Sequence, residues 1–389
     1  MFRISRFQQL MQHVPRGTFQ SIIQRHGADR YTKGFGCQAL LTAQVFGQLS
    51  DSRSLRELEV GYNAHPGQHY HLGTGPIART TLADACARRT PAVFEELAQV
   101  LMKTARRKVR RDLSQGLLLL DSTSFTLKGR GFDWAQAERT RNTQGLKLHL
   151  VYDLGSATPL AQQITAANVN DITPAQAMSL RKGATYVFDK GYCDYHWWAR
   201  FAEHDARFIT RLKRDAKVER VKDNGVAQAD QEQIVCDELV RLSNRHPGGK
   251  RRNQYTDPIR RITVRREDKD TDLVLVTNDL TRSAAEVAAC YKARWQIELF
   301  FKWIKQNLRI RTFYGRSQNA VRIQILCALI AHLLVALYRQ ANAASTSMLR
   351  VLGELRVGLF QRPAAEEAIH RRRSRRLKEV TAIQVGLFP

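Results

Sequence analysis

Hydrophobic positions change their period three times along the chain. Up to about residue 110 they recur at helical spacing, from Phe2, Phe7, Leu10 and Met11 through a break at Pro15 and Gly17. An apolar helix is predicted over 35–49, and another begins at 52–58, where Ser54 and Glu57 stand at capping-box spacing. Residues 62–76, rich in His and Gly, predict a surface loop rather than a metal site for His65, His69 and His71. A helix pair follows over 79–90 and 91–103. From residue 116 the period shortens. Apolar runs of strand length occupy 116–120, 146–154, 159–166, 184–188 and 207–213, with helices at 173–180 and 195–203 and a turn at 168–171. The order strand, strand, strand, helix, strand, helix, strand predicts an α/β sheet. Between 215 and 279 the chain is mostly charged and polar, with a loop at 246–252 and two strands, 260–266 and 272–278, which predicts a β-rich insertion. From Ser283 to about Arg339 the period is helical again.

One stretch of this last segment, 291–305, reads YKARWQIELFFKWIK and holds neither Pro nor Gly. Tyr291, Arg294, Glu298 and Lys305 fall at roughly 0°, 300°, 340° and 320° on a helical wheel, an arc about 60° wide. Ile297, Phe300, Phe301, Ile304 and Leu308 lie beside it at roughly 180° to 280°. The plain reading is an amphipathic helix with an Arg294–Glu298 pair four residues apart. The apolar flanks argue against an open, solvated face. A carboxylate among cations suits a metal and phosphate site if further acids converge on it.

Composition narrows the choice. The 389 residues carry 62 Lys and Arg against 36 Asp and Glu, a net charge of +26 and a pI near 10.3. The excess is spread along the whole chain, with clusters at 106–111 and 370–376 that either touch phosphates or are solvated. A polyanionic partner, nucleic acid foremost, explains it; no basic amphipathic anchor or lipidation motif points to a membrane. Six scattered cysteines form no CxxC pair, which fits a reducing cytosol better than a zinc site or a disulfide framework. The apolar run 323–338 contains Gln324 and His332 and is bounded by Arg322 and Arg339, so it predicts a buried core helix rather than a membrane span.

The further acids are Asp121 and Asp189, each placed directly after an apolar strand. Sites in open α/β sheets form at the carboxyl ends of strands. Either Asp alone could be a turn or cap residue. Together with Glu298 on a basic chain, the pair suggests oxygen ligands for a hard divalent cation.

Asp121, Asp189 and Glu298 in this order resemble the DDE triad of transposases with an RNase H-like fold. Tyr291-x2-Arg294-x3-Glu298-x6-Lys305 is similar to the Y-R-E-K signature of a large group of bacterial insertion-sequence transposases. The segments DKGYCDY, GLKLHLVYD, TNDL and SRFQQL/SLRELE resemble that group as well, so the likeness covers nearly the whole chain. It implies an α/β fold: an RNase H-like mixed sheet flanked by helices and interrupted by a β-rich insertion, with an N-terminal helical domain and a C-terminal helical segment. The corresponding boundaries are a helical DNA-binding domain at 1–111, a first core part at 112–214, the insertion at 215–280, a helical second core part at 281–340 and a helical, basic tail at 341–389. The resemblance further implies that Asp121, Asp189 and Glu298 bind two Mg²⁺ (or Mn²⁺) ions and carry catalysis. Tyr291, Arg294 and Lys305 would hold the DNA backbone, and Trp295 would either stack on a distorted base or simply pack. The reaction implied is nicking at element ends, a hairpin step in relatives, and 3′-OH strand transfer to target DNA by a homodimer in the DNA complex, in the bacterial cytoplasm and nucleoid-associated. A non-catalytic DNA-binding derivative and a metal-dependent nuclease of the same fold are the competing expectations.

Overall fold

The computed structural model describes residues 4–107, 116–135, 137–138, 143–244, 252–266 and 270–361. The basic residues expected at 108–111 and 370–376, and nearly all of the loop at 246–252, lie outside them. The chain forms two compact units, one from Met1–Leu101 with Ile304–Pro389 and one from Met102–Trp303. This division falls inside the segment 281–340 that was expected to belong wholly to the core.

The first unit is helical. It contains α1 (Arg6–Met11), α2 (Arg16–Arg25), α3 (Cys37–Leu49), α4 (Leu55–Asn63), α5 (Pro66–Leu72), α6 (Arg79–Arg88) and most of α7 (Ala92–Arg107), completed from the far end of the chain by α12 (Gln318–Asn342) and α13 (Met348–Gly358). The apolar run becomes α12, which is long and apolar enough to cross a membrane by composition, yet 89% of its most apolar window is buried inside the protein. Gln324 is tolerated there because its side chain is fully used: Nε2 donates to the carbonyls of Arg309 and Thr312, and Oε1 accepts from the Tyr314 amide. Ser54 caps α4 by accepting from the Glu57 amide, but Glu57 reaches back to the amide of Arg53 rather than that of Ser54. The expected loop at 62–76 contains α5, entered through Pro66 and closed by Gly73 in the left-handed conformation. His69 there is buried, its ring 4.7 Å from that of Tyr62, so it is a core residue.

The second unit is built on one sheet. Its core strands are β1 (Leu117–Leu127), β2 (Ala137–Glu138), β3 (Thr143–Asp153), β4 (Thr158–Ala166), β5 (Thr185–Val187) and β6 (Arg207–Arg211). β3 pairs antiparallel with both β1 and β4, whereas β5 runs parallel to β1 and β6 parallel to β5. This is the RNase H-like mixed sheet that the sequence led one to expect. One face is covered by α8 (Ile172–Gln176) and α9 (Tyr195–Glu203), where Leu118, Leu120, Tyr186, Trp197, Trp198 and Phe208 form the core. Asp194 starts α9 by accepting from the Trp197 amide at 2.8 Å. The helix expected at 173–180 is shorter, ending at Gln176.

Among its described residues the region 215–280 forms four strands, not two: β7 (Val218–Asp223), β8 (Ile234–Leu242), β9 (Ile259–Val264) and β10 (Leu273–Thr277). β10 pairs with β6, so these strands extend the core sheet. β7 and β8 were hidden because their sequences do not alternate. β7 is mostly exposed, and β8 buries two acids, Asp237 and Glu238, which are neutralised across the ladder by Arg260 and Arg261 on β9. All six cysteines are free thiols.

Candidate active site

Asp121 sits inside β1, which continues six residues beyond it to Leu127, and not at the strand's end. Side chains alternate along a strand. Leu118 and Leu120 belong to the core under α8 and α9, so Leu119 and Asp121 point to the opposite face. The side chain of Asp121 is 23% exposed. Burial pushes its carboxyl up to about 6, offset by the Ser122 amide and the Arg294 guanidinium and reinforced by the charges of Glu298 and Asp171. Asp189 lies two residues past the end of β5, at the entrance to a single 3₁₀ turn, Lys190–Tyr192. Since β1 and β5 are parallel neighbours, the two acids rise from adjacent strands.

The stretch expected to be one helix is two. Ser283 and Glu286 form a complete capping box that starts α10 (Ala284–Lys292), and α11 (Trp295–Asn307) begins after a break at Ala293 and Arg294. Tyr291 thus closes one helix and Glu298 lies in the first turn of the next. The side chains still meet. The Tyr291 hydroxyl donates to Asp189 Oδ1 at 3.2 Å and is hydrogen-bonded in turn to Arg294. The Arg294 guanidinium lies 2.7 Å from Glu298 Oε1 through Nη2 and 3.6 Å from Asp121 Oδ2 through Nη1. A second cation, Arg211 on β6, stands 3.6 Å from Asp189. One polar chain therefore runs Asp189, Tyr291, Arg294, Glu298 and Asp121.

Among the described residues no three His, Cys, Asp or Glu side chains converge tightly enough to hold a metal ion together. Asp121 and Glu298 converge on a guanidinium instead. Their donors are nonetheless all carboxylate oxygens, the chemistry that Mg²⁺ and Mn²⁺ take, and the cation already between two of them has the sign that a metal would have.

Trp295 is 56% exposed, so a large part of its ring faces outward. Lys305 falls in the first unit, half-buried, its ammonium pKa lowered by burial and by the Arg311 cation.

A group not assigned from sequence lies on the α8 face of β1. Asp171, just before α8, accepts from the Ser122 hydroxyl at 3.0 Å and from Lys147 Nζ at 3.1 Å. His149 on β3, paired in register with Ser122, presents Nδ1 to Asp171 at 3.8 Å. His149, Asp171, Gln163 and Tyr192 line a cavity of about 150 Å³. The alternation of Lys147 and His149 in the strand GLKLHLVYD was the available signal: both polar side chains share one face with Ser122.

Residues 112–334, more than half of the chain, match the family described as a transposase DDE domain, and 3–75 match a domain of unknown function. A protein named as a transposase in Sinorhizobium fredii is 42% identical over 283 residues, covering 72% of this chain and 77% of the relative. Another, named for an insertion sequence element of Geobacillus stearothermophilus, is 26% identical and covers 68% of each chain. A third, from Synechocystis and likewise named for an insertion sequence element, is 23% identical, covering 73% of this chain and 78% of its own length.

Proposed function

Because the chain belongs to the transposase DDE-domain family, we propose that it binds the ends of an insertion sequence, cleaves them with a two-metal site and transfers the 3′-OH ends into target DNA. The observation that carries this reading is the unbroken polar chain from Asp189 through Tyr291 and Arg294 to Glu298 and Asp121. Asp121, Asp189 and Glu298 would hold two Mg²⁺ (or Mn²⁺) ions. When bound, such ions supply Lewis-acid stabilisation of the attacking and leaving oxygens in phosphodiester chemistry. The protein's own part is placement. Tyr291 orients Asp189 by its hydroxyl, and Arg294 and Lys305 offer charge to the DNA backbone near the reacting end. Trp295 offers an exposed aromatic surface to an unstacked base. The net charge of +26 supports the polyanionic substrate. The helical segment 1–111 takes the role of end binding. The parts 112–214 and 281–340 supply the acids, and 215–280 lengthens the sheet between them. A homodimer holding two ends together would perform the joining.

Glu298→Gln tests the reading: it should abolish Mg²⁺-dependent cleavage of terminal-repeat DNA while leaving end binding within about twofold. Retained cleavage removes Glu298 from the catalytic set. Cleavage without regard to end sequence and without joined products would favour a nuclease. Specific binding with no cleavage by the wild type would favour a non-catalytic derivative.

A further inference from the structure

We propose that Arg294 is the resident counter-cation of the carboxylate site, held between Asp121 and Glu298 until it is drawn away to a DNA phosphate, so that metal affinity and DNA binding are coupled through this one side chain. The inference rests on the metal-site reading above and adds a regulation to it.

Arg294 touches both acids, at 2.7 Å and 3.6 Å, from the break between α10 and α11. A residue at a helix junction is free of the i,i+4 ladder on one side, which gives its side chain an alternative direction at little backbone cost. Its present position is a compromise. The contact to Glu298 is close and that to Asp121 is long, while the buried Nε has no hydrogen-bond partner. The two carboxylates would repel each other without a cation between them, and the arginine supplies that cation in the metal-free protein. A divalent ion needs the same oxygen atoms. Its apparent affinity is therefore reduced by the fraction of molecules in which Arg294 still holds them. A DNA phosphate gives the guanidinium a bidentate partner elsewhere and lifts that reduction. By linkage, metal must then tighten DNA binding by the same factor. The device would keep a nuclease-like centre weakly loaded away from DNA.

The experiment is Mn²⁺ binding, without turnover, followed by electron paramagnetic resonance of free Mn²⁺ at low ionic strength. Arg294→Ala should bind Mn²⁺ at least tenfold more tightly than the wild type, and Arg294→Gln, which keeps a polar side chain but removes the charge, should behave alike. Short duplex DNA, after subtraction of its own Mn²⁺ binding, should raise the affinity of the wild type toward that of the variants and leave the variants unchanged. Equal or weaker Mn²⁺ binding by both folded variants overturns the proposal. Asp121→Asn separates the two readings. If it removes Mn²⁺ binding while Arg294→Ala changes nothing, the metal site stands and the counter-cation role falls. If it leaves Mn²⁺ binding intact, the metal-site reading itself fails.

Discussion

His149 should make the second unit acid-sensitive, and His149→Gln should remove that sensitivity. The ring is 7% exposed, and its Nε2 lies 2.8 Å from the Thr165 hydroxyl oxygen. That hydroxyl donates to the Ala166 carbonyl, so the imidazole must carry its proton on Nε2 and donate it. Nδ1 is left as a bare, buried lone pair, too far from Asp171 at 3.8 Å for a hydrogen bond. Burial lowers the pKa to about 4; the Asp171 charge opposes this and the Lys147 ammonium adds to it. An unfolded histidine titrates near 6.5. Between pH 6.5 and 4 the unfolded chain therefore binds a proton that the folded one refuses. This contribution is complete above pH 6.5 and lost as the pH falls toward 4. At about 1.4 kcal/mol per unit it amounts to about 3 kcal/mol. All five tryptophans lie between residues 102 and 303, so their fluorescence follows this unit alone. Urea titrations read by tryptophan emission at pH 7.5, 6.5, 5.5 and 4.5 isolate the effect as the difference between wild type and variant. The wild type should lose about 2 kcal/mol more than His149→Gln between the extremes. Parallel profiles, within about 0.5 kcal/mol, would refute the assignment of a neutral, proton-refusing imidazole beneath β1.

Asp237→Ala should destabilise the same unit by about 3–5 kcal/mol, because it strands the buried Arg260 guanidinium; a urea midpoint within 1 kcal/mol of the wild type would contradict this. Replacing both partners, as Asp237→Leu with Arg260→Met, should recover most of that loss in the same titration. Trp295→Ala should change stability by no more than about 0.5 kcal/mol, given its exposure, yet weaken binding of element-end DNA by about 1–3 kcal/mol. Unaltered DNA affinity in a fluorescence anisotropy titration would return Trp295 to the protein surface.

The legible parts of the fold were those where burial follows the chain's period. Leu118, Leu119 and Leu120 of the run GLLLL are buried because β1 is central, and α9 was bounded correctly because Asp194 caps it and its apolar residues keep helical spacing. Illegible parts were those where a distant partner satisfies a local offence against the pattern. Asp237 and Glu238 read as surface residues until Arg260 and Arg261 come alongside. Ser283 and Glu286 announced the start of α10, but nothing local announced its end at Lys292, since Ala293 and Arg294 are good helix formers. The division of the chain into two units was likewise beyond reach, because it joins α12 to α3 and α6 across more than two hundred residues.

The break at Arg294 explains why a periodicity that treats 291–305 as one helix still selects residues that meet. A straight helix would project Tyr291, Arg294 and Glu298 from one arc toward one place. The two acids stand level on neighbouring strands: the parallel register that pairs Leu119 with Val187, continued two residues, sets Asp121 beside Asp189, so the helical residues have two adjacent strands to reach and not one point. Ending α10 at Lys292 lets Tyr291 serve Asp189, and starting α11 at Trp295 puts Glu298 on the side of Asp121. Arg294, at the joint, is within reach of both groups and ties them. The i+3 and i+4 spacings survive because the break spans less than a turn, so Arg294 still donates its amide to the Tyr291 carbonyl at 3.0 Å. Substituting the joint for a stiffer one is then a test of geometry apart from charge. Ala293→Pro would keep every charged group and, by removing the backbone donor that bonds the Ala289 carbonyl, should loosen the tie between Tyr291 and Asp189 while leaving Glu298 against Arg294.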